Sequence, residues 1–405
     1  MNSELAPWPH FDADVISKVT ALLTSGRVNY WTGDEGQKFE REISDFIGTK
    51  HAIAVANGTV ALELCLEALQ IGAHYGGTIL DEVIVTPRSF VASASAIKRA
   101  GARVIFADVD PISQNIAPRS IRSRITEYTR AVIAVHLAGW PCDMHGIRKL
   151  TETRNIAVIE DCAQAHGARI ESQSVGRFGD LAAWSFCQDK IISTGGEGGM
   201  VTTQRTDLAE RIWALKDHGK SRDKMRTPAT GAFRYVHDQI GTNARMTEVS
   251  ATIGRHQLLH LPDWTRVRNE NAAQIETALE GYSDSDGPIR LTRFDPQLGT
   301  HARYKYYAFI RPENLKPGFD RDVLIHHFVQ AGVPVQSGIC PEIYREGAFQ
   351  KTYRGPRLPI ARLLGDTSLM FPVHPTLRKR DLAKIKGAIH TILARATKTR
   401  LHRIA

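Results

Sequence analysis

An aspartate and a lysine, 29 residues apart, are the chain's clearest candidates for chemistry. Asp161 closes the apolar run AVIED (157–161), and ligands of an open α/β sheet sit beyond the carboxyl ends of its strands. An isolated strand-end Asp most often caps a helix or joins a surface ion pair. Here Gln164 and His166 follow within a turn or so. Lys190 ends WSFCQDK (184–190) and precedes the turn GGEGG (195–199). Most lysines are solvated surface groups. One that acts as a nucleophile or Schiff-base former must be desolvated or set beside positive charge, because its free pKa is about 10.4. A buried strand leading in and a glycine-rich turn leading out favour that placement. The glycines form no Walker loop and precede a strand-like stretch, 200–203, so alone they read as a tight turn. Asn57-Gly58-Thr59 ends a short strand and opens a helix. Free N–H groups and a hydroxyl there make either a phosphate site or an ordinary N-cap.

Together these residues point to one cofactor. Pyridoxal phosphate needs a Lys for its aldehyde, a carboxylate to keep its ring nitrogen protonated, and anion donors for its phosphate. Lys190, Asp161 and Gly58-Thr59 match those demands in type. Other chemistries find less support. The chain has no G-x-S-x-G elbow and no H-E-x-x-H. His136, Cys142 and His145 match no standard ligand spacing, so no metal centre is expected; they belong to a loop over the substrate or to the interior.

The elements that must position these groups read as α/β. Two amphipathic helices come first, with Ile16, Val19, Leu22 and Leu23 on one face and Phe39, Ile43, Phe46 and Ile47 on another. Short Val/Ile-rich runs then alternate with helical patterns, at 52–56, 82–86, 103–107, 131–136, 157–161 and 182–186. Continuous apolar runs of this kind argue a largely parallel sheet with helices on both faces. An amphipathic segment from Glu248 to about Leu258 precedes Leu261-Pro262-Asp263, where a domain boundary is expected. The division is a large domain, 1–260, and a smaller α+β domain, 261–405, with strands at 304–310 and 333–337 and a closing helix at 380–394.

Composition bounds the partners. The 405 residues are 42% hydrophobic and 23% charged, as in globular proteins. The net charge of +9 suggests a polyanion until it is located. Residues 376–405 hold nine Lys or Arg against Asp381 alone, which leaves the body close to neutral. Ile385, Ile389, Ile392 and Leu393 fall at helical spacing, so the tail reads as a closing helix with a solvated basic face. No nucleic-acid partner is expected. No apolar run nears the ~18 residues a membrane helix needs. Five scattered cysteines without a C-x-x-C pair suit a reducing, cytoplasmic setting.

The chain also resembles the DegT/DnrJ/EryC1/StrS sugar aminotransferases, within the fold-type-I pyridoxal phosphate enzymes. The resemblance spans roughly residues 28–390. It rests on ordered blocks: ANGTVAL (56–62), DEVIVTPRSFVASASAI (81–97), VHLAGWPCDMHGI (135–147), VIEDCAQAHG (158–167), VGRFGDLAAWSFCQDKIISTGGEGGM (175–200), GTNARMTEVSATIGRHQL (241–258) and SLMFPVHP (368–375). It implies that Lys190 holds the cofactor and shuttles the proton, and that Asp161 pairs with the ring nitrogen. Gln164 would lie near the phenolic oxygen and Phe90 would stack on the ring. Gly58, Thr59 and Ser185 would hold the phosphate, with Asn243 reaching it from the second subunit of a homodimer. The implied activity moves an amino group from an amino acid, glutamate by resemblance, to a nucleotide-linked keto sugar for amino-sugar and surface-polysaccharide synthesis. Three departures bear on which sugar carbon is aminated. Cys187-Gln188-Asp189 replaces a bulkier run, the glycine turn has one residue more than in members aminating C4, and Arg88 stands near the cofactor face. Alternatives are another enzyme of this fold, such as a dehydrase or an amino-acid transaminase, or a non-catalytic relative. Lys190 argues against the dehydrases, which carry His there.

Overall fold

A computed structural model describes residues 5–226, 231 and 233–398. The basic residues Arg400 and Arg403 lie outside the described residues. The chain builds a seven-stranded sheet from β1 (His51–Val55), β2 (Glu82–Val85), β3 (Arg103–Phe106), β4 (Thr129–Val135), β5 (Ala157–Asp161) and the strands Leu181–Ser185 and Gly199–Thr203. Its order is β1, Gly199–Thr203, Leu181–Ser185, β5, β4, β2, β3. Every pairing from Leu181–Ser185 to β3 is parallel. Gly199–Thr203 runs antiparallel to both of its neighbours. The α/β reading with a mostly parallel sheet is thus borne out.

Strand residues alternate between two apolar layers. Val55, Val85, Ile133 and Ile159 pack under α3 (Gly58–Ala68) and α4 (Ala92–Arg99). Ala54, Trp184 and Met200 face α2 (Glu35–Ile47), whose Phe39, Ile43 and Ile47 recur every four residues. Both faces are covered, so the strands read as unbroken apolar runs. Glu160 stitches the sheet beneath the site. Its buried carboxylate accepts from the amides of Gly176, Phe178 and Gly179 at 2.7–2.9 Å and lies 3.0 Å from His136 Nε2. His136 and Cys142 are interior residues, whereas His145 is exposed.

Two local readings change. The amphipathic segment expected to end near Leu258 continues as one helix, Glu248–Glu280, through Pro262. Proline lacks the N–H and crowds the carbonyl four residues back, a cost of about 3 kcal/mol in a helix interior. Burial of Leu261, Thr265, Arg268, Ala272 and Ile275 on the same helix offsets it. The stretch 333–337 is no strand, since only Gln336 bridges to Met370. The second sheet is instead Ile289–Leu291, Tyr306–Ile310 and Ser368–Phe371, all antiparallel. Tyr306, Ala308 and Ile310 enter the second core with Ile385, Ile389 and Leu393 of the closing helix Lys379–Ala396. Tyr307 and Phe309, on the opposite face, join the core of the large sheet. We therefore propose the division at 260/261 as one between two cores that share a helix and a strand.

Candidate active site

The sheet brings the chemistry to one edge. β1, β5 and Leu181–Ser185 run in the same direction, so Val55, Asp161 and Ser185 all lie at carboxyl ends. Because Gly199–Thr203 returns antiparallel beside Leu181–Ser185, the loop between them leaves and re-enters at that same edge, and Lys190 sits on this loop. A cavity of about 890 Å³ opens there. Gly58, Thr59, Phe90, Asp161, Gln164, Ser185 and Lys190 all line it.

The anion end is built from backbone. Asn57 caps α3, its side chain accepting from Val60 N–H at 2.9 Å. The Gly58 and Thr59 amides, in the helix's first turn, have no carbonyl within the helix to donate to. A Cβ on Gly58 would stand 2.6 Å from the Ser185 Cβ, so only glycine lets this turn approach the strand end. The result is a cradle of amides and hydroxyls at a helix start, fit for a phosphate.

The opposite pole is a buried carboxylate. Asp161 is 6% exposed. It accepts from Ser93 Oγ at 2.7 Å and from the Ala163 amide at 3.2 Å. Burial pushes its carboxyl above the usual carboxylate range, although both donors pull the other way. A positive charge beside such a group favours its ionised form. Lys190 has a side chain 14% exposed, with Nζ 3.6 Å from Asp189 Oδ1 and 5.3 Å from the Tyr304 ring centre. The Tyr304 hydroxyl donates in turn to Asp189. Gln164 is held by its Oε1, which accepts from Ala138 N–H at 2.7 Å. Phe90, 59% exposed, presents its ring at the rim.

The family follows from the whole chain. Residues 9–390 match the model of the DegT/DnrJ/EryC1/StrS aminotransferase family. The chain belongs to this family. The aminotransferase is 40% identical over 367 residues to GDP-perosamine synthase of Escherichia coli O157:H7, covering 89% of this chain and 91% of that one. It superposes on an aminotransferase from Psychrobacter cryohalolentis with a TM-score of 0.92 at 46% identity, over 96% of this chain and 99% of the other. On DesV of S. venezuelae, solved in complex with a ketimine intermediate, the TM-score is 0.82 at 29% identity, over 94% of each chain.

Two residues named from sequence do not line the cavity of this aminotransferase's own chain. Asn243 is exposed, bridges to Asp217 and does not line the cavity of its own chain. Arg88 is fully buried, with Nε and Nη2 on Gln114 Oε1 at 3.1 and 2.8 Å and its guanidinium over the Tyr307 ring. It is engaged beneath the site and is not on the cavity wall. Sequence reasoning missed Ser93, Tyr304 and Trp8, whose indole donates to the Lys190 carbonyl at 2.9 Å. Ser93, in the first turn of α4, has its hydroxyl 3.0 Å from that of Ser89 in the bend before the helix, a contact that no spacing rule encodes.

Proposed function

We propose that the enzyme transfers an amino group from an amino acid, glutamate, to a ketone of a nucleotide-linked sugar, using pyridoxal phosphate. The observation that carries the cofactor is the meeting, in one cavity, of Lys190, the buried Asp161 and the glycine-built cradle against Ser185. When bound, the cofactor supplies an electron sink for the carbon that loses its proton. The chain's own groups do the rest. Gly58, Thr59 and Ser185 anchor the phosphate, and Asp161 keeps the ring nitrogen protonated. Gln164, oriented from Ala138, and Phe90, at the cavity rim, would hold the ring between them. With the cofactor in place, Lys190 Nζ would take the proton from the donor's α-carbon in the first half-reaction and deliver a proton to the sugar carbon in the second, held near Asp189, which in turn accepts from Tyr304.

Asn243, exposed on its own chain, suits the role of reaching the cradle of a second copy. We infer a homodimer with shared sites. All five cysteines are free, which fits a reducing compartment, and we place the enzyme in the cytoplasm. Among the described residues no helix is long and apolar enough to cross a membrane.

The deciding experiment is borohydride reduction of protein loaded with pyridoxal phosphate, followed by peptide mass spectrometry. A reduced adduct at Lys190 is expected, with no turnover in Lys190→Arg. A colourless protein, or an adduct elsewhere, refutes the cofactor reading. Assay of nucleotide keto sugars beside small 2-keto acids then separates sugar amination from amino-acid transamination.

A further inference from the structure

Helix α1 (Ala13–Ser25) and the helix Glu248–Glu280 meet at a group of side chains that the reaction leaves unused. His256 and His260 are one turn apart and share a helix face. Their Nε2 atoms stand 3.3 Å from each other. Asp12 Oδ2 lies 2.9 Å from His256 Nε2 and 3.7 Å from His260 Nε2. Two ligands held ~2.0–2.1 Å from a tetrahedral Zn²⁺ are themselves separated by roughly 3.3 Å. The three atoms thus already stand at about the separations that one ion requires. A shared proton can satisfy only two of them at a time, whereas an ion satisfies all three.

The surroundings hold the ligands in place. Asp12 Oδ1 is committed to the cap of α1, accepting from Val15 N–H at 3.0 Å, and this leaves Oδ2 for the imidazoles. His256 Nδ1 is 3.3 Å from Asp14 Oδ2. Nδ1 itself makes no hydrogen bond among the described residues, and Asp14 Oδ2 is held by Lys18 Nζ at 2.7 Å. The His260 ring stacks on Trp264 with centres 5.4 Å apart. His256 is buried, while Asp12 and His260 are partly exposed, so an ion and its water can enter. The expectation of no metal centre did not foresee this group, because Asp12 and His256 are 244 residues apart in sequence.

We propose that Asp12, His256 and His260 bind one divalent transition-metal ion, Zn²⁺ on ligand type, with water completing the shell. The site clamps the N-terminal segment to the long helix. Trp8 of that segment packs edge-on against Trp264 and holds the Lys190 carbonyl. The clamp therefore lies two aromatic contacts from the catalytic loop.

The test is calorimetric titration of the chelator-treated holoenzyme with Zn²⁺, with Co²⁺ absorption as an optical readout of the ligands. One ion per chain is expected, with visible bands that report imidazole ligands and a raised Tm. Asp12→Asn keeps the helix cap, since Asn caps as well as Asp, and removes the anionic ligand. His260→Ala removes a partly exposed ring. Each should weaken Zn²⁺ binding about tenfold or more with the circular dichroism unchanged. Absence of saturable one-to-one binding overturns the proposal, as does binding of equal affinity in both variants.

Discussion

The indole N–H of Trp8 donates to the main-chain oxygen of Lys190 at 2.9 Å, across 182 residues of sequence. Gln257 makes a second tie between the same segments, accepting from Ser193 N–H at 2.8 Å and donating to the His10 carbonyl at 3.3 Å. The loop that carries Lys190 is thus pinned from outside the sheet. Trp8→Phe keeps an aromatic ring but removes the indole N–H and part of the packing on Trp264, and the lost bond alone is worth about 1 kcal/mol. Urea unfolding should show that loss, and kcat should fall by no more than about tenfold. Unchanged values of both would show that the bond does not position Lys190.

The cradle predicts a non-additive pair. Gly58→Ala places a methyl group 2.6 Å from the Ser185 Cβ. Forced overpacking of this kind costs about 1–3 kcal/mol. Cofactor affinity should drop accordingly. In the Gly58→Ala/Ser185→Gly double variant the 2.6 Å contact is removed and the nearest remaining atom is the residue 185 Cα at 3.2 Å, so its loss should be smaller than the two single losses combined. Equilibrium titration of the cofactor measures all three, and strict additivity would refute the steric account.

Ser93 predicts a shift in pH dependence. Its hydroxyl bond favours the ionised form of Asp161, against burial. In Ser93→Ala the carboxyl should rise further above its usual range. Cofactor binding that needs the carboxylate is lost as pH falls through that pKa, so the acid limb of affinity should move to higher pH. A profile that keeps its acid limb and merely scales down would assign Ser93 a packing role only.

His166 predicts how stability varies with pH. It is fully buried between Trp184 and Phe186, and neither ring nitrogen has a hydrogen-bond partner among the described residues. Burial, aided by the Lys190 and Arg268 charges, holds its pKa down at about 3. The unfolded ring protonates near ~6.5. Between these values the unfolded state binds the extra proton, so stability falls as pH drops from about 6.5 towards 3, by up to ~1.4 kcal/mol per pH unit. His166→Phe should flatten that slope in denaturant unfolding at several pH values. An identical slope would place the titration elsewhere.

Much of this was legible in the chain, for reasons that also explain what was not. β5 is buried on both faces, so AVIED reads as a strand with a charge at its end, and Asp161 follows directly. The glycines around Lys190 mark a turn, although only the antiparallel return of Gly199–Thr203 explains why the loop re-enters at the same edge. Local rules failed where distant packing overrides them. Pro262 signals a helix end, yet buried neighbours carry the helix through. Arg88 reads as near the cofactor face, yet Gln114, 26 positions away, engages it away from the cavity wall. Trp8 and Asp12 owe their importance to contacts that no spacing rule encodes.

The continuity of Glu248–Glu280 constrains how such enzymes can be recombined. Glu248 caps the start of α2 through the Glu35 and Gly36 amides, at 2.6 and 3.1 Å, while Ile275 and Leu279 near the other end lie in the second core. A chimera with a relative that joins at residue 260 would splice one rigid rod from two parents and mismatch both cores. Crossovers just before Glu248 or just after Glu280 would pass the rod on intact as one inheritable part.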